Sequence, residues 1–575
     1  MSIVISQFDV VTAYGWGIDA LWNGLLSTQS AVHPTDRFKE RNFVSNQAAL
    51  VPELVVPPAT SRVMAMLEPL LRRLTGNLDP KTPLILATTV GEIEYIESAI
   101  LDGQPDRAVK SAPSALLAQI KKLLGLSGPA MVLSSACASS TAALAHAASI
   151  VHRKESPAVL VVAGDAISEF VYSGFSTLQS LCETPAQPFD AERCGLSLGE
   201  AAAWALVTSG DATPQPDAVS ILGWASTSDA IHMTAPDRNA AGLSRAIAKA
   251  CTMAGRNPAE IAFIAAHGTA TVYSDAMELL AFGSSVPAPV PIFSVKGGTG
   301  HTLGAAGLMQ ILVSARALTR GQVPPTVGLS HPDASAAGWV HAAPVPLNNA
   351  SVALSTNSGF GGVNTAIVLG RLEHSRLQPA PAAAPEPVIR AFAHSLGQES
   401  PEDITALVGK PVKYVSRMTP ETRCCLVAGC KALRALNLGP GVEVGIVSAG
   451  EGGFLKADLE YFRDYFACGR SMARGNLFIY PLPTSAASEV AVALGLRGPT
   501  LYAQADASPV KSLIAFAGQM LADGGAQAVL ALWSGPKAAV SFAIALNGSP
   551  INLTHIDLNL DPHEMANTLA SAEHP

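Results

Sequence analysis

Hydrophobic patterning along the chain shows one motif twice. Residues 130–135 form a short apolar run bounded by Gly128-Pro129, which predicts a buried strand. Residues 139–154 are Ala-rich with apolar positions at helical spacing and a Ser at the start, which predicts a helix. A strand around 158–160 follows. Further along, Leu124-Gly125-Leu126-Ser127-Gly128-Pro129 recurs as Leu494-Gly495-Leu496-Arg497-Gly498-Pro499, a shift of 370 residues. Without a gap, 500–505 then falls on the first strand, 508–523 on the helix and 528–530 on the second strand. Upstream, 84–92 resembles 444–451. Between the copies, 374–387 is dominated by Pro and Ala and predicts an extended, semi-rigid linker.

Composition narrows the class. At 575 residues the chain can build two or three domains with large cores. Hydrophobic content of 49% against 14% charged residues fits compact α/β layers and excludes disorder. A net charge of −8 without any Lys/Arg run argues against nucleic acid as a partner. No apolar run reaches spanning length without polar residues, so no membrane association is expected. Residues 1–6 lack the basic-then-apolar form of a signal peptide. Eight Cys occur without a CxxC pair, so neither a metal site nor a disulfide framework is expected, and a reducing, cytoplasmic location fits.

The candidate chemistry begins at Cys137, on the strand–helix junction. The helix dipole there favours thiolate, as a nucleophile requires; the alternative is a buried structural Cys. His267 lies in Ala266-His267-Gly268-Thr269-Ala270-Thr271, and His301 in Lys296-Gly297-Gly298-Thr299-Gly300-His301-Thr302-Leu303-Gly304-Ala305-Ala306-Gly307. Each follows an apolar stretch and sits among small residues. One such His is usually a satisfied core residue; two with a Cys make a set for nucleophilic acyl chemistry.

Taken with Gly359-Phe360-Gly361-Gly362-Val363-Asn364 and Pro188-Phe189-Asp190-Ala191-Glu192-Arg193-Cys194-Gly195-Leu196-Ser197-Leu198-Gly199-Glu200, these motifs occur in an order that resembles the β-ketoacyl synthases of the thiolase superfamily over about residues 1–370. The resemblance implies an α/β, thiolase-like fold of αβαβα layers. It implies decarboxylative Claisen condensation of an acyl chain on Cys137 with malonyl-carrier protein, in fatty acid or polyketide biosynthesis. It makes Cys137 the nucleophile and His267 and His301 the donors to the enolate oxygen. The backbone N–H groups of Cys137 and Phe360 become the oxyanion hole, with Phe360 also the gate. Lys296 and Glu278 become a supporting ion pair, and Thr269 and Thr271 contacts for phosphopantetheine. No bound cofactor or metal is implied, since the substrates ride on the phosphopantetheine of an acyl carrier protein. Lys121, Lys122, Arg153 and Lys154 are candidates for docking that carrier, or simply solvated helix ends. Ala270, Ser274, Leu196 and Ser358 depart from the family pattern and bear on substrate size. Residues 165–181 resemble ketosynthases of aryl polyene and pigment clusters.

Within this resemblance the repeat is a third, incomplete thiolase-like half in which Ala507 falls where Cys137 stands. The expected organisation is an N-terminal half 1–215, a C-terminal half 216–372, a linker 373–387, an inactive N-terminal-half copy 388–545 resembling a chain-length factor, and a tail 546–575 with a short helix. An unrelated α/β domain is the alternative for the copy. Because the N-terminal half carries the family's dimer interface, the expected assembly is a homodimer or an internal pseudo-dimer, with another ketosynthase subunit as a further partner. Competing functions are a non-decarboxylating acyltransferase, which needs only one of the two His, and a non-catalytic scaffold.

Overall fold

The computed structural model describes the chain except for residues 1, 42, 75–77, 211–214, 349, 375–386, 440, 451–452, 471–472, 547–556 and 574–575. The expected linker therefore lies almost wholly outside the described residues. One continuous sheet organises the rest. Its strands are β1 (Ile3–Thr12), β2 (Leu84–Ala87), β3 (Ala130–Ser134), β4 (Ala158–Asp165), β5 (Ala201–Ser209), β6 (Val219–Ser228), β7 (Ile261–Ala265), β8 (Ile292–Phe293), β9 (Val352–Gly359), β10 (Val363–Gly370), β11 (Val388–Ser395), β12 (Val444–Gly450), β13 (Thr500–Ala505), β14 (Ala528–Gly535) and β15 (Ala538–Ala545). They lie in the order β8-β7-β9-β10-β6-β1-β5-β4-β2-β3-β13-β12-β14-β15-β11.

That order is one five-strand pattern used three times. In β3-β2-β4-β5-β1 the first three strands are parallel and the last two antiparallel. The set β8-β7-β9-β10-β6 repeats this. So does β13-β12-β14-β15-β11. The alternative of an unrelated domain after the linker does not survive this match. The thiolase-like layering implied by the motifs is present, with a third half added.

The helices that matter below are α1 (Ser139–His152), α2 (Glu169–Thr177), α3 (Ala241–Ala254), α4 (Val272–Ser285), α5 (Ala306–Arg320), α6 (Gly453–Ala467), α7 (Gly475–Phe478), α8 (Ser485–Leu494), α9 (Pro509–Ala522) and α10 (Pro562–Glu573). Helix α1 packs against α5 between the first two five-strand sets and buries 12 of its 14 residues. A helix covered on all sides cannot be amphipathic, and small residues let both sets approach it. It stops two residues short of the expected end, because Lys154 takes a left-handed φ of 60°. The tail helix α10 packs on β15, β11 and β14. Among the described residues no helix is long and apolar enough to cross a membrane.

The third half joins through β3 and β13, which pair antiparallel with Leu133 opposite Ala503. A shift of 370 residues carries Leu133 onto Ala503, so the two halves meet about a pseudo-two-fold axis. Two other self-corresponding pairs lie on the same seam. The rings of His146 and Phe516 are 4.2 Å apart, and Arg153 Nη1 meets Asp523 Oδ1 at 2.7 Å. Lys121 pairs with Asp506, and Lys249 with Glu443. Two of the four expected carrier-docking cations, Lys121 and Arg153, are thus engaged inside the molecule, leaving Lys122 and Lys154 exposed.

A second departure concerns cysteine. Cys182 and Cys194 are joined as a disulfide, with Cα atoms 5.4 Å apart. The chain returns on itself here, Leu181 bridging to Leu196 and the Cys182 N–H donating to the Leu196 carbonyl. Spacing along the sequence could not show this; it is one cross-link, not a framework.

Candidate active site

Cys137 sits at the top of β3, just before α1. The preceding Ala136 has φ 49°, a turn held by the Ser139 hydroxyl, which accepts from the Ser135 N–H at 2.9 Å and donates to the Ala136 carbonyl at 2.5 Å. Gly359, at the end of β9, lies against this turn. A Cβ there would come within 2.9 Å of the Ser135 carbonyl and 3.1 Å of the Cys137 nitrogen, so only glycine fits. The backbone N–H groups of Phe360 and Cys137 lie near enough to the sulfur to favour its ionised form.

His267 follows β7 on a loop that carries almost no regular hydrogen bonds of its own. Helix α4 supplies them. Asp275 and Glu278, three residues apart and therefore on one helix face, reach back into the loop. Asp275 accepts from the N–H groups of Phe189, Thr269 and Ala270. Glu278 accepts from those of His267 and Gly268 at 2.7 and 2.6 Å. Lys296 Nζ donates to the His267 carbonyl and lies 3.3 Å from His267 Nδ1. The expected Lys296–Glu278 ion pair is corrected by this arrangement: among the described residues the two make no direct contact, but hold opposite sides of the His267 backbone. Burial pushes Glu278 up and Lys296 down, and their mutual attraction opposes both shifts.

His301 enters from the loop before α5, its ring 5.4 Å from that of His267 and edge-on to it. The Leu303 N–H donates to His301 Nδ1 at 3.1 Å, which puts the ring proton on Nε2. Burial, reinforced by the Lys296 charge, holds both imidazoles well below their ordinary pKa, so both are neutral. Cys137, His267 and His301 line one cavity of about 430 Å³, together with Thr269, Thr271 and Phe360. The Thr269 and Thr271 hydroxyls are 2.9 Å apart. Three of the four departures from the family pattern, Ser358, Leu196 and Ser274, line the same cavity; the fourth, Ala270, is buried in the loop after His267.

The helix-dipole argument for Cys137 is outweighed. Burial pushes its thiol up to about 12, Lys296 pulls it down, and Asp165 pushes it further up. Asp165 was not legible as a site residue. Its carboxylate accepts from Thr88 Oγ1 and from the N–H groups of Thr89 and Gly304, tying the loop after His301 to the end of β4. Gln310 does similar work, its amide donating to the carbonyls of Ala265 and Thr356. A polar residue mid-helix is the only sequence signal for it.

Behind the cavity stands an aromatic stack supplied by all three halves. Phe360 stacks on Phe175 of α2 at 5.9 Å, and Phe175 meets Phe478 of α7 at 5.6 Å. Tyr461 and Phe462 of α6 are fully buried against Phe170, at 4.9 and 5.9 Å. Ser488 of α8 lies beneath Gly361, where a Cβ would come within 2.0 Å of its hydroxyl.

Residues 72–212 match the family profile described as the N-terminal domain of beta-ketoacyl synthases, and residues 218–330 its C-terminal domain. The 3-oxoacyl-[acyl-carrier-protein] synthase 2 of Coxiella burnetii is 27% identical over 408 residues, covering 64% of this chain and 98% of that one. The oxytetracycline polyketide putative beta-ketoacyl synthase 1 of Streptomyces rimosus is 29% identical over 416 residues, covering 64% and 96%. A solved structure titled PfaC keto synthase-chain length factor superposes on 95% of this chain and 78% of its own, with a TM-score of 0.77 and 16% identity, a likeness of fold.

Proposed function

Because this chain belongs to the beta-ketoacyl synthase family of acyltransferases, we propose that it condenses an acyl group held on Cys137 with a malonyl unit carried on the phosphopantetheine of an acyl carrier protein. Cys137 Sγ attacks the acyl thioester carbonyl. Its proton passes to the carrier sulfur, which leaves as the free thiol, and an acyl-Cys137 thioester forms. The N–H groups of Cys137 and Phe360 receive the tetrahedral oxyanion. The malonyl thioester then enters beside Thr269 and Thr271. Its carboxylate leaves as carbon dioxide, and the electron pair forms an enolate whose oxygen accepts from His267 and His301 Nε2–H. The enolate carbon attacks the acyl carbonyl, the Cys137 sulfur leaves, and a β-ketoacyl carrier protein is released.

The observation that carries this reading is a pair of neutral imidazoles beside one cysteine, His301 fixed as an Nε2–H donor and His267 with Lys296 at its Nδ1. A plain acyl transfer has use for one base, whereas enolate stabilisation uses two donors already in place. The chain-length-factor-like half is read as catalytically silent, since Ala507 occupies the position of the nucleophile.

Intact-protein mass spectrometry tests it. With acyl-carrier protein, the wild type gains an acyl adduct and Cys137→Ala none; malonyl-carrier protein then discharges the adduct with formation of ketoacyl product and carbon dioxide. Adduct without extension would make the protein a plain acyltransferase, and no adduct with any chain length a scaffold.

A further inference from the structure

The Cys182–Cys194 disulfide stands on the wall of the catalytic cavity. Cys194, Gly195 and Leu196 line that cavity, with Leu178, Gln179 and Ser180 beside them. The two cysteines differ in access: Cys194 is exposed, whereas Cys182 is 3% exposed.

The bridge is not what holds this wall together. The Leu196 N–H donates to the Ser180 carbonyl at 2.9 Å, and the Cys182 N–H to the Leu196 carbonyl at 3.0 Å. Between the cysteines, the Ala186 N–H donates to the Ser197 hydroxyl and the Phe189 N–H to Asp275. The Asp190 carboxylate accepts from the N–H groups of Ser330 and His331, and Arg193 Nη1 donates to Asp333 at 2.9 Å. With these bonds in place, opening the bridge frees two sulfurs without releasing the segment between them.

Thr184 bears on how the bridge opens. Its Oγ1 lies 3.3 Å from Cys182 Sγ and 3.9 Å from Cys194 Sγ. Neither bridged sulfur carries a proton, so the hydroxyl is the donor, and it stabilises charge on Cys182 as that sulfur departs. A thiolate opens a disulfide by attacking one sulfur, and exposed bridges are the exchangeable ones. Access therefore selects Cys194 as the sulfur attacked, and the closer hydroxyl selects Cys182 as the sulfur that leaves. Glu183 and Glu192, both exposed, lie next to the two cysteines in sequence and disfavour an anionic thiol.

We propose that Cys182–Cys194 is a thiol-exchange site whose co-reactant is the free pantetheine thiol that acyl loading of Cys137 leaves in the same cavity; the choice of thiol rests on the condensation proposed above. The pantetheine thiol loses its proton as its sulfur attacks Cys194 Sγ. The Cys182–Cys194 bond breaks, a pantetheine–Cys194 disulfide forms, and Cys182 leaves with the electron pair and takes up the proton. Cys182 reverses the step by attacking Cys194 Sγ, which restores the bridge and frees the pantetheine thiol. One disulfide is exchanged for another, so no further oxidant or reductant is consumed. While the arm is held on Cys194 it occupies the mouth and keeps the next carrier out.

Peptide mass spectrometry of the full chain after maleimide blocking tests it, with pantetheine and glutathione as probes. Purified without reductant, the wild type carries the 182–194 cross-link, and pantetheine opens it about tenfold or more faster than glutathione at equal concentration and pH. In Cys182→Ser, pantethine, the disulfide of pantetheine, places one pantetheine on Cys194. In Cys194→Ser the buried Cys182 is modified about tenfold or more slowly by comparison. A wild type without the cross-link, a cross-link that pantetheine leaves closed, or modification of Cys182 as fast as of Cys194 would each overturn the site. Equal opening by the two thiols would overturn pantetheine as the co-reactant. Acyl loading of Cys137 by acyl-carrier protein is read separately; its failure would sink the condensation alone and leave the exchange rates unchanged.

Discussion

At Cys137 the desolvated surroundings act against ionisation while Lys296 and two backbone N–H groups act for it, and burial wins. Ionisation then waits for substrate or for alkaline pH. We expect the rate of Cys137 alkylation by iodoacetamide, followed by peptide mass spectrometry, to rise about tenfold per pH unit from pH 7 to 9. A plateau near neutrality would mean a preformed thiolate. The imidazoles set a different expectation. His301→Ala removes a donor to the developing enolate only, so condensation falls about 10²–10³-fold while acyl loading of Cys137 persists; equal loss of both steps would remove that role. Ala270 holds φ 64°, where an L-residue costs about 1–2 kcal/mol. Glycine would add about 0.4–1 kcal/mol of unfolded-chain entropy in the opposite sense. Release of strain wins, so Ala270→Gly raises the urea midpoint by about 0.5–1 kcal/mol of stability. A lowered midpoint would show that the strain is relieved by the Asp275 bond to Ala270.

Elements differ in how much of themselves the sequence announces. Strand β3 and helix α1 were legible because each is covered on all sides, leaving an unbroken apolar or small-residue run that needs no partner to be recognised. The copy at β13 and α9 was legible for the same reason. Contacts between distant segments were not. Asp165 meets Gly304 across 139 residues, Phe175 meets Phe478, and Cys182 finds Cys194 only through a turn of chain. Motif order located Cys137, His267 and His301, but whether Lys296 touches Glu278 depended on a loop conformation no motif describes. Helix α7 offers the clearest test at this scale. Phe478 fills the space over Gly174, where a Cβ would come within 2.1 Å of its ring. Phe478→Ala costs about 3–5 kcal/mol for the lost side chain and its cavity. It also lengthens the space behind Phe175, so Cys137 should accept longer acyl chains, read as the mass of the adduct. An unchanged chain-length limit would mean that Phe175 alone closes the cavity.

For the whole molecule, the pairing of β3 with β13 closes the edge through which a second synthase would add strands. Size-exclusion with light scattering should therefore give one chain, 59.2 kDa, at micromolar concentration. Ending the chain at residue 372 bares that edge, and such edges recruit other chains, so the shortened protein should dimerise or aggregate. A soluble, fully active monomer would show that the third half is dispensable. The pseudo-two-fold axis has a consequence for how such a seam can change over generations. In a homodimer, any residue on the axis meets its own twin, and every substitution there is made twice at once. An arginine at position 153 would face an arginine. Here the twin of Arg153 is Asp523, that of His146 is Phe516, and that of Leu133 is Ala503. Duplication on one chain has released these positions from self-complementarity. One side could turn acidic while the other stayed basic, and one half could lose its cysteine while the other kept it, with the two still inherited in a fixed one-to-one ratio.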